Sequence, residues 1–391
     1  MTDPLALVPP RYGVASLADV LPSVRAALTG VGADPLGMAD GLLAGVSRVA
    51  VLLVDGLGWH QLPAAAERGS TLSEIVAGRL GVARALTAGF PSTTPTSLVS
   101  FGTGVAPGAH GVLGFTVRVP GTTRVLNHIH WGDDPDPRVW QPAPTQFDLA
   151  AAAGVATTVV TRPEFYGSGL TVSAYGAAAF RPAATAEELA ATMLAALAEG
   201  PAPALVYGYH PDLDKAGHRH GVDSPEWRAE AGVVDRLVTR LIEGLPPDAA
   251  LVITADHGQL DVPQTTRIDA DADARLRDGV EIIAGEPRLR YLHTLPGALA
   301  DVVATWQGVL GAAATVVTRE EAVATGWFGP VAPGHLARIG DVVVWCRDRF
   351  AIVASVREPL ALLRLIAFHG SVTATEMRIP LVVAHSVAGR H

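Results

Sequence analysis

Four short segments of the 391-residue chain contain carboxylate and imidazole side chains at spacings that suit metal binding. Together they offer three carboxylates and three imidazoles and no sulfur ligand. The candidate ligands are Asp55 in LLVDGLGW, Asp214 and His218 in YHPDLDKAGHRHG, Asp256 and His257 in TADHG, and His369 in FHGSVTATEMRIP. Oxygen and nitrogen donors in this number suit two zinc ions about 3.5–4 Å apart, with manganese as the competing metal.

Each of these segments alone has an ordinary structural explanation. An aspartate at a strand end is usually a turn or cap residue, and an Asp and a His four residues apart commonly form a surface pair on a helix. A DHG sequence can likewise be a simple Asx turn. The occurrence of all four segments in one chain, at or near predicted strand ends, favours the metal site.

A further segment, residues 89–111 (GFPSTTPTSLVSFGTGVAPGAHG), carries a candidate nucleophile. Thr94 is a suitable N-cap and Pro95 a suitable first helical residue, so Thr93 is expected just outside a helix N-terminus, where an anion is favoured. Metal coordination can activate a threonine hydroxyl for attack. A capping pair of threonines without chemistry is the alternative for this segment alone.

Apolar β-rich runs alternate with Ala/Leu-rich stretches along the chain, and this alternation indicates the elements that hold these residues. The predicted strands are 48–55, 156–161, 204–209 and 250–256, and the predicted helices include 185–200 and 226–245. Apolar strands separated by helices predict an α/β three-layer sandwich with a mostly parallel central sheet. Ligands of such sheets bind outside the carboxyl ends of the strands, where these acids lie.

The alternation of apolar strands and Ala/Leu-rich helices gives way at about residue 262 to a predicted strand, helix and strand with turns around them. We expect a catalytic α/β domain formed by residues 1–261 and 346–391, and a small inserted α+β cap subdomain at 262–345. The apolar segment IGDVVVWC (339–346) is predicted to return the chain to the main sheet.

Composition narrows the function classes. The net charge of −9 argues against a surface that binds a nucleic-acid polymer. The single cysteine, Cys346, excludes an internal disulfide. The segment MTDPLALVPPRYG lacks the basic start of a signal peptide, and no apolar run reaches the roughly 20 residues of a membrane span. A cytoplasmic protein without a membrane partner is therefore expected, and its oligomeric state is left open.

In the order and approximate spacing of its motifs, the chain resembles the alkaline phosphatase superfamily, and most closely its nucleotide pyrophosphatase/phosphodiesterase branch. The matching segments are VLLVDGLGW, FPSTTPTSLVSFGTG, GAHGV, DLDKAGHRHG, TADHG and FHGSVTATEMRIPLVV. This resemblance implies a mostly parallel sheet between helices with a small cap domain. It also implies a small-molecule phosphate ester or nucleotide as the substrate.

The resemblance assigns roles to the candidate residues. Asp214, His218 and His369 would bind one zinc, and Asp55, Asp256 and His257 would bind the second, together with the Thr93 oxygen. In such enzymes the threonine attacks phosphorus and a covalent phospho-threonine forms, which water then hydrolyses. Cleavage of a phosphodiester or phosphoanhydride bond is the expected reaction.

The sequence departs from the pattern of that branch at two places. An Asn that helps bind the phosphoryl oxygen is replaced by Gly114, and Asn127 is a candidate substitute. The residues after the nucleophile also differ, so Thr94 remains an alternative to Thr93.

The substrate class has further alternatives. No Arg lies between Arg84 and Arg118, so the nucleophile segment lacks the extra positive charge that a dianionic monoester requires. This favours a diester or pyrophosphate, and the loops 164–171 and 127–132 are candidates for a leaving-group pocket. The alternatives are a phosphomonoesterase, a phosphonate hydrolase, a phosphoryl mutase, less readily a sulfatase, or an inert binding protein.

Overall fold

A seven-stranded sheet forms the centre of the protein, as seen in a computed structural model that describes residues 3–386. Its strand order is β2-β17-β8-β1-β7-β5-β6. The strands of the described chain are β1 (Arg48–Val54), β2 (Val82–Thr87), β3 (Thr116–Arg118), β4 (Val125–Asn127), β5 (Ala156–Thr161), β6 (Ala179–Pro182), β7 (Ala204–His210), β8 (Ala249–Thr254), β9 (Leu260–Asp261), β10 (Arg267–Asp269), β11 (Val280–Glu286), β12 (Leu289–Thr294), β13 (Ala314–Thr318), β14 (Val342–Cys346), β15 (Ala351–Val353), β16 (Ala367–Phe368) and β17 (Arg378–His385).

Helices flank this sheet. They are α1 (Val20–Thr29), α2 (Leu62–Ala65), α3 (Thr71–Val76), α4 (Thr94–Thr103), α5 (Pro107–His110), α6 (Pro137–Trp140), α7 (Gln146–Ala152), α8 (Gly169–Tyr175), α9 (Ala186–Glu199), α10 (Asp212–His220), α11 (Pro225–Gly244), α12 (Ala274–Arg277), α13 (Leu299–Leu310), α14 (Arg319–Ala324), α15 (Leu360–Leu363) and α16 (Ala374–Met377). Five 3₁₀ turns complete the described chain: Leu17–Asp19, Pro163–Phe165, Gln264–Thr266, Gly311–Ala313 and Pro333–Arg338.

The sheet is mostly parallel, as the sequence predicts. β1 runs parallel to both of its neighbours, β7 and β8, and only β17 runs antiparallel to the strands beside it. Every residue of β7 and β8 is buried, because helices cover both faces of the sheet. The expected α/β sandwich is confirmed.

The predicted helices begin and end close to the expected residues. α9 begins after Thr185, whose side chain accepts a hydrogen bond from the backbone N–H of Glu188. α11 begins after Ser224, whose hydroxyl accepts from Trp227 N, and its first residue is Pro225. These are the capping residues that start a helix, so the local sequence suffices to predict both elements.

A second sheet lies in the predicted insertion and has the strand order β11-β12-β14-β13. The prediction that residues 339–346 return the chain to the main sheet is wrong, because β14 pairs antiparallel with β12 and β13. The chain re-enters the main sheet only at β17. An apolar strand such as VVVWC fits any buried position, and its distant partners decide which sheet it joins.

The second sheet has a hydrophobic core of its own. This core includes Trp306 and Val344, and it reaches from Ala270 to Ile352. The boundaries 262–345 for the cap subdomain stay a prediction. Among residues 3–386, no helix combines the length and the apolar composition that a membrane span requires.

Candidate metal centre

The carboxyl ends of three adjacent strands bring the predicted ligands to one rim of the sheet. Asp55 directly follows β1, and its backbone N–H donates to His210 O at the end of β7 (3.0 Å). Asp256 and His257 follow β8, which pairs with β1 in a register that places Leu53 beside Thr254. Parallel strands end at the same edge of a sheet, so their loops converge there.

The ligands from more distant parts of the sequence reach the same rim. Asp214 and His218 lie one turn apart on α10, which follows β7, so they share one face of the helix. His369 follows β16, which pairs with β9 just beyond the Asp-His pair. An isolated bridge between Ser92 and Gly370 joins the nucleophile loop to this segment.

Two ligand groups result, each with its ligand atoms within 4.8 Å of one another. Ligand group 1 consists of Asp214, His218 and His369, and ligand group 2 consists of Asp55, Asp256 and His257. The six residues are those that the sequence analysis selects, in the same division. The two groups are neighbours, because the rings of His257 and His369 stack at a centroid distance of 3.6 Å.

In ligand group 2 the donor atoms converge on His257. Its Nε2 lies 3.3 Å from Asp256 Oδ2 and 3.6 Å from Asp55 Oδ1. In ligand group 1, His218 Nε2 lies 3.1 Å from Asp214 Oδ2, and His369 Nε2 lies 4.0 Å from Asp214 Oδ1.

Hydrogen bonds to the surrounding protein leave one ligating atom of most of these side chains free. His218 Nδ1 donates to Ala367 O (2.7 Å) and His369 Nδ1 donates to Ser92 O (3.0 Å), so both Nε2 atoms face the site. A metal-binding histidine is held in the same way, through its other nitrogen.

In each carboxylate of ligand group 2, one oxygen accepts hydrogen bonds from the protein and the other has no hydrogen-bond partner. Asp256 Oδ1 accepts from the backbone N–H groups of Gly56 and His257, and Asp55 Oδ2 accepts from the Tyr209 hydroxyl. Asp256 Oδ2 and Asp55 Oδ1 are buried and have no hydrogen-bond partner. Unpartnered buried carboxylate oxygens that face an imidazole nitrogen fit a divalent cation.

Electrostatics support the same conclusion. Burial, together with the charges of Asp256 and Asp214, raises the pKa of Asp55 well above its ordinary value. Burial and the neighbouring His257 lower the pKa of His369 well below its ordinary value, so its ring is neutral near pH 7. A neutral imidazole is the form that binds metal, and a cation would relieve the repulsion among the carboxylates.

The nucleophile segment forms α4, and the structure separates its two threonines. The helix begins at Thr94, one residue earlier than expected. Thr93 is therefore the N-cap residue, and Pro95 lies in the first turn. Thr94 Oγ1 lies 3.1 Å from His257 Nε2, so its hydroxyl joins ligand group 2. Thr93 is fully buried, and its Oγ1 has no hydrogen-bond partner. Burial raises the pKa of the neighbouring Glu286 well above its ordinary value, and the Thr93 hydroxyl opposes this rise.

A cavity of about 390 Å³ opens in front of both ligand groups. Thr94, Asp55 and His369 are among the residues that line it. The loop 164–171 contributes aromatic, aliphatic and hydroxyl side chains to its wall, and Ile129 contributes from the loop 127–132. Both loops were predicted as leaving-group candidates, and both reach the cavity.

Gly114 and Asn127 do not line this cavity. Asn127 Oδ1 accepts from the backbone N–H groups of Ile129 and His130, which stabilises the turn after β4. The Gly114 carbonyl accepts from His128 Nδ1 at 2.8 Å, and an added Cβ would lie 3.2 Å from the Tyr291 ring. Their roles in substrate binding stay predictions.

Two residues that the sequence analysis did not select hold the ligands in place. Tyr209 donates to Asp55, and Gln259 Nε2 donates to the Asp214 carboxylate. Gln259 directly follows the His257-Gly pair, and Tyr209 is the next-to-last residue of β7, the strand beside β1. Their positions next to the ligand motifs are the available signals.

A sequence profile of the family described as type I phosphodiesterase / nucleotide pyrophosphatase matches residues 49–372 of the chain. The match spans all six ligands, both threonines and the second sheet.

Solved structures of similar fold agree with this match. The chain superimposes on murine ectonucleotide pyrophosphatase/phosphodiesterase 5 with a TM-score of 0.69 and 20% identity, covering 86% of this chain and 88% of that one. It superimposes on phosphonoacetate hydrolase from Sinorhizobium meliloti 1021, in complex with phosphonoformate, with a TM-score of 0.67 and 21% identity, covering 89% of this chain and 92% of that one.

A curated protein matches a smaller part of the sequence. The human GPI ethanolamine phosphate transferase 3 catalytic subunit is 30% identical over 84 residues, which is 22% of this chain and 7% of that protein. The chain therefore spans only a small part of this relative.

Proposed function

This chain belongs to the type I phosphodiesterase / nucleotide pyrophosphatase family and is thereby a phosphoester hydrolase, and we propose that it cleaves phosphodiester or phosphoanhydride bonds through a covalent phospho-threonine. One observation carries this proposal. Both ligand groups contribute side chains to the wall of a single cavity that Thr94 also lines, and the Thr94 hydroxyl lies 3.1 Å from His257 of ligand group 2.

Ligand groups 1 and 2 would each hold one divalent ion, zinc in this proposal with manganese as the alternative, and such ions neutralise charge on the attacking and leaving oxygens. The surrounding protein holds the ligand carboxylates in a fixed orientation. Tyr209 and Gln259 fix the carboxylates of Asp55 and Asp214, so their geometry does not have to change when substrate binds.

We assign the attack to Thr94. Its oxygen forms the bond to phosphorus while the bond to the leaving oxygen breaks, and water later cleaves the phospho-threonine and restores the hydroxyl. Thr94 lies at the N-terminus of the ten-residue helix α4, where the positive end of the helix dipole favours the phosphoryl anion. Thr93, the residue preferred from the sequence, becomes the alternative.

The cavity suits a small phosphate ester or a nucleotide. Its wall is mostly apolar and includes the rings of Phe115, Phe165 and Tyr209, which can pack against a base or an aryl group. Among the described residues that line it there is no arginine, which favours a monoanionic diester over a dianionic monoester. An inactive threonine-to-alanine variant of the murine relative was solved in complex with AMP, which supports a nucleotide as substrate.

The test compares Thr94→Ala with Thr93→Ala, two neighbouring substitutions of the same size. Turnover of bis(para-nitrophenyl) phosphate and of para-nitrophenyl phosphate is measured, together with the metal content of each protein. We expect Thr94→Ala to lower kcat for the diester by about a thousandfold or more, since it removes the nucleophile. Thr93→Ala is expected to keep most of the activity.

Three outcomes would contradict parts of this proposal. A loss confined to Thr93→Ala would move the attack to that residue. An active protein without bound metal would exclude the two-ion mechanism. A clear preference for the monoester would favour a phosphomonoesterase of the same superfamily.

A further inference from the structure

Lys215 is the only lysine in the sequence, and its side chain lines the cavity beside the ligand groups. It follows Asp214 in the first turn of α10, so its backbone position is fixed by the helix that carries ligand group 1. The side chain is 42% exposed.

The internal partner of Lys215 is only weakly engaged with it. Lys215 Nζ lies 3.4 Å from Asp212 Oδ1, whereas the other oxygen of Asp212 forms a close ion pair with Arg162. Ion pairs between partly exposed side chains contribute little, about 0–1 kcal/mol. Because Arg162 already neutralises Asp212 and an ammonium has three donors, Lys215 can bind an anion in the cavity at small cost.

A metal site is the competing use of Asp212. His210, Asp212 and Glu230 offer ligand atoms within 4.8 Å of one another. His210 Nε2 already lies 2.8 Å from Glu230 Oε1, and the two basic side chains occupy Asp212. The side chains of this cluster are therefore engaged with one another and with Arg162 and Lys215.

The charges along the described wall of the cavity show what Lys215 can select. Outside the ligand groups, the charged residues that line it are Lys215 and Glu164, and the rest of the wall is mostly apolar. Glu164 is 57% exposed and lies 3.7 Å from Arg162, which offsets its charge. Lys215 is thus the one lysine or arginine of the described wall, and its ion-pair partner Asp212 lies 3.4 Å away and is shared with Arg162.

We propose that Lys215 is a specificity-determining residue that binds a second anionic group of the substrate, a phosphate or a carboxylate separate from the phosphoryl group that reacts. This inference rests on the proposed phosphodiesterase function. The enzyme then prefers diesters or anhydrides with an additional negative charge over neutral aryl esters. Charge-assisted hydrogen bonds of ammonium to such oxygens are stronger than neutral ones.

The test uses three diesters with the same para-nitrophenyl leaving group. The second substituent is phenyl, para-carboxyphenyl or para-phosphonophenyl, so the substrates differ only in the added anion, and the two charged ones separate carboxylate from phosphate-type recognition. Lys215→Met removes the charge at similar length and Lys215→Arg retains it. Arg162→Met is a second probe of the same argument, because it removes the other cation next to Asp212 without removing a residue of the cavity wall.

We expect Lys215→Met to lower kcat/KM about tenfold for at least one charged diester and to leave the phenyl diester nearly unchanged, as for the loss of one charge-assisted hydrogen bond. Lys215→Arg should retain the preference in part, and Arg162→Met should weaken it, because Asp212 is then left to pair with Lys215 alone. An equal effect of Lys215→Met on all three diesters would overturn the proposal and leave Lys215 as an ion-pair partner of Asp212.

Calorimetric binding of the corresponding monoesters separates this inference from the proposed function. Phenyl phosphate, para-carboxyphenyl phosphate and para-phosphonophenyl phosphate are titrated into the metal-loaded wild type and Lys215→Met. Tighter binding of a charged ester that is lost in Lys215→Met would support the role of Lys215 even if no diester is hydrolysed. Equal affinities of the wild type for all three esters would overturn it, whatever the turnover shows.

Discussion

At the scale of single residues, the two aspartates of ligand group 2 each use one oxygen for the protein and leave the other free. Asp55 Oδ2 is held by the Tyr209 hydroxyl, and Asp256 Oδ1 by two backbone N–H groups. The free oxygens are therefore fixed in direction without a bound ion. Such pre-arranged donors are characteristic of metal sites, where the groups that orient a ligand affect affinity almost as strongly as the ligand itself.

Tyr209→Phe tests this orientation. The variant removes only the hydroxyl that holds Asp55, so we expect the affinity for the ion of ligand group 2 and the rate of diester hydrolysis to fall about 10–100-fold, with the fold retained. Metal affinity is measured by competition with a chelator, and turnover with bis(para-nitrophenyl) phosphate.

Tyr207→Phe is the matched control for this variant. Tyr207 is fully buried on the same strand, but its hydroxyl lies 3.0 Å from the Tyr175 hydroxyl and does not bind a ligand carboxylate. It should leave metal affinity near the wild-type value. Equal losses in both variants would mean that general packing, rather than the bond to Asp55, explains the effect.

At the scale of elements, the position of Thr94 depends on how closely α4 approaches α8. Gly102 of α4 permits this contact, because a Cβ there would lie 1.8 Å from the carbonyl oxygen of Ala174. α4 carries Thr94 at its N-terminus, and α8 contributes Leu170 and Tyr175 to the cavity wall. One glycine thus sets the distance between the proposed nucleophile and the pocket for the substrate.

Gly102→Ala is expected to destabilise the protein by about 1–3 kcal/mol, since the two backbones must move apart to accept the methyl group. Displacement of α4 should also lower turnover. Thermal unfolding of the metal-loaded protein, together with diester hydrolysis, checks both effects.

Gly308→Ala in α13 serves as the control. Nothing lies within 4 Å of a Cβ added at Gly308, so this substitution should be neutral or should stabilise the protein by up to about 1 kcal/mol through helix propensity. A Gly102→Ala protein with wild-type stability and activity would show that the contact with α8 can relax freely.

At the scale of the whole molecule, a buried ion pair joins the second sheet to α16, the helix that directly precedes β17 of the main sheet. Arg288 lies between β11 and β12, and its guanidinium makes two hydrogen bonds to Glu376 of α16, at 2.9 and 2.8 Å. Both side chains are fully buried. Glu376 also accepts from Ser371 N (3.0 Å) and Thr373 Oγ1 (2.6 Å), in the segment that follows the ligand His369.

Arg288→Met should lower the free energy of unfolding by about 3–5 kcal/mol, because it leaves the Glu376 carboxylate buried without a cation. The double variant Arg288→Met/Glu376→Gln should recover part of this loss, since the charge is then absent. Denaturant unfolding of the wild type, both single variants and the double variant provides the measurement. Strictly additive losses would show that the two residues are not coupled in the folded protein.

The sequence by itself determined the chemistry of the candidate site. The six candidate ligands and the α/β fold were predicted from local patterns, namely strand runs, helix caps and the Asp-x-x-x-His spacing, whereas the division into two groups followed from the family resemblance. The carboxyl ends of parallel strands meet at one rim in any such sheet, so ligands at these ends converge without knowledge of the loops.

The tertiary structure alone decided which groups around the ligands face the cavity. α4 begins at Thr94, one residue earlier than expected, and the Thr94 hydroxyl lies 3.1 Å from His257 Nε2. Distant strand partners assigned β14 to the second sheet, and the end of the strand next to Asp55 brought Tyr209 to its carboxylate. Contacts of this kind join residues far apart in sequence, and no local pattern specifies them.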